Sequence, residues 1–136
     1  MLTDKVFRRK IETRYPEVSR AITEEPLFTG ISNIEKIHLL FCAVVELPDQ
    51  PKTSEILDYR TLFVALVLKC YDPDYMNGYK KKVRNGIRPE IARILGLDQT
   101  YVSNLFVLAT GRIRIYKGMK EKVSELFDLV KESLSA

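Results

Sequence analysis

The sequence predicts an all-α fold, a compact bundle of six or seven helices forming one domain over residues 1–136. Three observations lead there. Apolar residues recur at spacings of three and four in several windows, which lines them up on one side of a helix. Gly and Pro divide those windows into stretches of helical length. With 136 residues, 46% of them apolar and 29% charged, the chain has the usual size of one domain and enough apolar content for a core.

Residues 4–14 read as a polar helix, interrupted at Pro16 and resumed to Thr23. Residues 24–32 read as loop, and Asn33 is placed to cap a helix through Ile34, Ile37, Leu40, Phe41 and Val44 that Pro48 stops. After a second loop with Pro48 and Pro51, a helix is expected to enter near Asp58 and run through Leu62, Phe63, Leu66, Val67 and Cys70. That run is apolar almost all round, as in a buried strand or a central helix, and its length favours the helix. Asp72, Asp74 and Asn77 resemble the start of a calcium loop, but Met76 and Val83 occupy the fifth and twelfth places, where oxygen ligands are required. The stretch reads instead as a turn into a basic helix over residues 75–85, closed by Gly86 in a left-handed conformation. The alternation of Arg112, Ile113, Arg114, Ile115 and Tyr116 lacks a hairpin partner and reads as extended loop. In the last helix, residues 119–134, Met119, Val123, Leu126, Phe127, Val130 and Leu134 form a stripe expected to pack on the core.

Charge is distributed unevenly. Residues 79–122 hold eleven Lys or Arg against three acids, a net +8 in a chain whose total is +4. The remainder is therefore acidic, and a basic third of this kind points to a polyanion or an acidic partner. Residues 1–78 are expected as an N-terminal helical support region and residues 79–122 as the binding region. Cys42 and Cys70 each sit in an apolar run and are expected as buried thiols. The lone His38 has no partner at ligand spacing, so neither a metal nor another cofactor is expected. No run of about eighteen apolar residues is present and the first residues form no apolar signal, so a cytoplasmic protein without a membrane span is expected.

Residues 88–107 carry the constellation of greatest interest. Ala92 and Gly96 stand four apart, and Ile91, Leu95, Leu97, Val102 and Leu105 supply apolar positions around them. Two helices crossing after a short turn come closest at one side chain, where a methyl fits and a larger group pushes them apart. Ala92 suits that contact. The reversal after Leu95 needs positive φ, which Gly96 adopts without strain. Asp98 is placed to accept amides at the start of the second helix, and Pro89 fits the first turn of the first. The pattern resembles the helix-turn-helix of the phage-repressor class at all seven places.

The resemblance implies that the second helix enters the major groove of double-stranded DNA. Val102 and Leu105 then face inward, and Gln99, Thr100, Ser103, Asn104 and Val107 are the candidate base contacts, since amides bond adenine and methyls meet thymine. Lys80, Lys81, Lys82, Arg84 and Arg88 before the motif, with Arg112, Arg114 and Lys117 after it, are the candidate phosphate contacts. Tyr79 and Tyr116 lie among them. The function expected is sequence-specific DNA binding, as a homodimeric transcription regulator. The alternatives are a phage or mobile-element packaging factor and a protein-interaction domain without nucleic acid. No phosphate loop, nucleophile elbow, zinc pattern or dinucleotide fingerprint occurs, so no catalytic residue is expected.

Overall fold

The computed structural model describes residues 26–134, so the helix expected over residues 4–14 and resumed to Thr23 lies outside them. Among the described residues there are six helices and no strand, the all-α fold that periodicity predicts. They are α1 (Asn33–Val44), α2 (Thr53–Tyr71), α3 (Pro73–Met76), α4 (Ile87–Leu95), α5 (Gln99–Ile115) and α6 (Lys117–Leu134).

The core is built around α2. Every residue from Thr61 to Leu68 is buried, which answers the ambiguity of that run in favour of a central helix. Helices α1, α5 and α6 all pack on it. Burying a side chain such as Phe63 or Leu66 in this way contributes about 1.5–3 kcal/mol. The helix starts at Thr53, earlier than the expected entry at Asp58, because Glu55 reaches back and accepts the Lys52 amide at 3.0 Å. Asp58 is thereby left on an outer turn. Burial raises the Cys70 thiol to about 12, and the reason is loss of water around the thiolate.

α1 buries Ile34, Ile37 and Phe41 and leaves its other side in solvent. Asn33 is the first helical residue and not the cap; its amide donates to Gly30 O. Cys42 is exposed, contrary to expectation, because α1 lies on the surface of the bundle and only one face of its apolar run meets the core.

The expected basic helix over residues 75–85 does not form. Only Pro73–Met76 are helical, and residues 77–86 follow as turns and extended chain. The cause is Asp72, 4% exposed, whose carboxylate accepts the amides of Tyr75 at 3.3 Å and Arg84 at 2.8 Å and pairs with the Lys80 ammonium at 2.9 Å. A continuous helix would carry Arg84 about 18 Å away from Asp72. Gly86 does adopt positive φ, at +93°, but it precedes α4 instead of closing a helix.

The expected loop over residues 112–116 is helical as far as Ile115, and Tyr116 ends the helix in extended conformation. α5 runs to Ile115, since Ala109 and Ile113 continue the buried stripe of Val102, Leu105 and Phe106 at helical spacing. The Thr110 hydroxyl donates to carbonyls one turn back, and Asp58 holds Arg112 at 2.8 Å. α6 buries Val123, Leu126 and Val130, with Met119, Phe127 and Leu134 packed at its margin, so its stripe serves the core.

Candidate nucleic-acid interface

α4 and α5 are joined by the three residues Gly96, Leu97 and Asp98. Gly96 is left-handed at φ +66° and ψ +37°. The Leu97 amide donates to Ala92 O at 2.9 Å and the Gly96 amide to Arg93 O at 3.4 Å, the paired bonds of a Schellman turn. Asp98 then caps α5: its Oδ1 accepts the Thr100 amide at 2.8 Å, and the negative charge faces the positive end of the helix. Ile91 and Ala92 on α4 and Val102 and Leu105 on α5 are buried where the two helices meet, and Leu95 and Leu97 are half-buried at the corner.

The outer side of α5 bears Gln99, Thr100, Asn104 and Val107, all exposed, with Val107 67% accessible. Ser103 is half-buried and its hydroxyl donates to Gln99 O at 3.1 Å. Thr100, Val107 and Arg114 are seven residues apart and share one line along the helix. A second line, Tyr101, Leu108 and Ile115, is apolar and exposed, and the Arg60 guanidinium lies over the Tyr101 ring at 5.9 Å.

No family model, curated protein or solved structure matches the chain.

The basic residues divide by what they touch. Lys81 and Lys82 are exposed on the loop that Asp72 folds. Lys80 is paired with Asp72, and Arg84 turns inward to donate to Phe28 O at 3.4 Å and to Thr29 O. Arg88 is half-buried, with Nε shielded from water and lacking a hydrogen-bond partner. Arg112 is held by Asp58, and Lys117 lies in solvent near Glu121. Arg114 is exposed, yet its guanidinium covers Gly78 so closely that a Cβ there would collide with it. The end of the Arg114 side chain thus lies against the start of the loop that carries Lys81 and Lys82.

Two features of this face escaped the sequence reading. Asp72 looked like a failed calcium ligand, and nothing in its local sequence marks the bond to Arg84. The contact of Arg114 with Gly78 joins residues 36 positions apart, and only the φ of +81° at Gly78 has a local sign, in the Asn77-Gly78 pair. Among the described residues no group of three or more His, Cys, Asp or Glu is arranged to hold a metal ion. No described helix is long and apolar enough to cross a membrane.

Proposed function

We propose that the protein binds double-stranded DNA in a sequence-specific manner, as a homodimeric transcription regulator, with the first half of α5 as its reading element. The observation that carries this reading is the row of Gln99, Thr100, Asn104 and Val107: uncharged, facing solvent, and borne by a helix whose opposite side is core. A helix face that serves solubility alone is rich in Lys and Glu. Amide groups can instead bond adenine in the major groove, and Thr or Val methyls can meet thymine. The likeness of residues 88–107 to the phage-repressor class supports the same reading.

The phosphate contacts narrow to Lys81, Lys82, Arg88, Arg114 and Lys117. Lys80, Arg84 and Arg112 already hold partners within the chain, which a phosphate would have to displace. One short helix reads few base pairs, so two copies on a two-fold site would multiply the discrimination. The exposed line of Tyr101, Leu108 and Ile115, with Ile115 73% accessible, supplies an apolar surface for the second copy.

Selection from a random DNA pool tests the proposal. The expected result is an enriched two-fold site with half-sites about 34–36 Å apart. Binding of every sequence alike, with no enrichment, overturns base reading. Sedimentation of the protein with Leu108→Glu and Ile115→Glu tests the dimer, which those charges should dissociate.

A further inference from the structure

The apolar line of Tyr101, Leu108 and Ile115 runs beside the reading row, and a cation from another helix lies across its first member. The Arg60 guanidinium, carried by α2, sits over the Tyr101 ring at 5.9 Å from its centroid, close enough for the aromatic face to attract it. Tyr101 is 37% exposed and Arg60 half-buried, so the pair stands at the protein surface. Among the described residues no carboxylate is paired with Arg60. A guanidinium stacked through its face keeps its N–H donors in plane, directed at its edges. Arg60 thus offers a held charge whose donors no acid occupies.

Its place on the bundle gives that charge a use. At about 100° per residue, Tyr101 lies about 60° round α5 from Asn104, and Arg114 lies about 80° round it the other way. The reading row therefore has Arg114 on one flank. On the Tyr101 flank α5 itself offers no free cation, since Leu108 and Ile115 are apolar and Arg112 is held by Asp58 at 2.8 Å. A helix in the major groove, about 12 Å wide, has a phosphate strand on each side, and contacts to both fix its register. The second flank receives its cation only through the packing of α2 on α5.

We propose that Arg60 is a phosphate contact on the Tyr101 flank of α5, with Tyr101 as the positioning residue that holds its guanidinium. The inference rests on the DNA-binding reading and extends the interface to α2, within the region expected only as support. Arg60 takes the Tyr101 end of the apolar line, which leaves Leu108 and Ile115 to the second copy.

Binding of the full chain to a selected site and to random DNA, over roughly 0.1 to 0.5 M salt, tests it. Arg60→Ala should weaken both by about eight-fold at roughly 0.1 M and flatten the salt slope by about 0.9, the share of one phosphate. Arg60→Lys keeps the charge and should keep the slope; Tyr101→Phe keeps the ring and should match wild type. In a Tyr101→Leu background the loss from Arg60→Ala should shrink to less than about three-fold, because the two residues are coupled. A slope unchanged by Arg60→Ala, with Lys81→Ala still flattening it, overturns the inference and leaves DNA binding standing. An undiminished Arg60→Ala loss in Tyr101→Leu overturns the positioning role. If the wild type binds neither DNA, the DNA reading fails and this inference with it.

Discussion

The Asp72 carboxylate accepts the backbone amide of Arg84 at 2.8 Å across twelve residues. This bond, with those to Tyr75 and Lys80, folds the chain between α3 and α4 into a loop and keeps Lys81 and Lys82 on its outside. Asp72→Ala removes the acceptor while leaving the donors in place. It should cost about 1–3 kcal/mol, read as a lower urea midpoint at unchanged slope, with Asp72→Asn losing less. An Asp72→Ala midpoint equal to wild type would mean that the loop holds without it.

Two glycines with open space around them should respond in opposite directions to alanine. Apart from the adjoining backbone, neither Gly96 nor Gly111 has a neighbour within 4 Å of where a Cβ would stand. Gly96 is left-handed, so Gly96→Ala should cost about 1–2 kcal/mol in backbone strain. Gly111 lies inside α5, where Gly111→Ala should add about 0.5–1 kcal/mol by restricting the unfolded chain. Thermal midpoints measured side by side decide it, and a shared sign would contradict the assignment of conformations.

On a selected DNA site, Asn104→Ala or Gln99→Ala should cost about 1–3 kcal/mol of affinity and leave binding to random DNA nearly intact. Lys81→Ala should weaken both alike and flatten the salt dependence by about one unit of slope. Equal losses on both DNAs for Asn104→Ala would assign it to the phosphate surface or to folding. Arg112→Ala should leave the slope unchanged, because its guanidinium sits on Asp58.

His38 packs edge-on to Phe63 with ring centroids 4.9 Å apart, and its Nε2 is 3.4 Å from Cys42 Sγ. Burial lowers its pKa below the usual 6.5, and nearby Glu35 only partly opposes this. The folded state therefore favours the neutral ring. Above 6.5 the ring is neutral in both states and costs nothing; as pH falls below 6.5 the unfolded chain binds the proton first and stability declines. Urea midpoints at pH 7.5 and pH 5 should show a smaller fall for His38→Gln than for wild type.

The parts that could be read from the residues alone are those set within a few turns of chain. The stripe of α6, the apolar cylinder of α2 and the turn at Gly96 follow from periodicity, from all-round apolarity and from a backbone angle that favours glycine. The inward set Val102 and Leu105 and the outward row from Gln99 to Val107 follow from the same helical period. At the two stretches whose helical state was misread, a distant partner was responsible. Residues 75–85 looked helical until Asp72 captured Arg84 and Lys80, and residues 112–116 alternated like a strand until Asp58 and the core beneath Ile113 held residues 112–115 in α5.

Local spacing thus prescribes which side of a helix is apolar, because that depends on contacts four residues away or fewer, whereas the extent of a helix also answers to partners far along the chain. The surroundings of each charge followed from the assembled bundle. Arg84 points at Phe28 O, Arg112 at Asp58 and Arg114 at Gly78, and Cys42 faces water because α1 buries one side only. A long cationic side chain has no directional preference in its own sequence, so what it meets is chosen by whichever element folding brings within its reach.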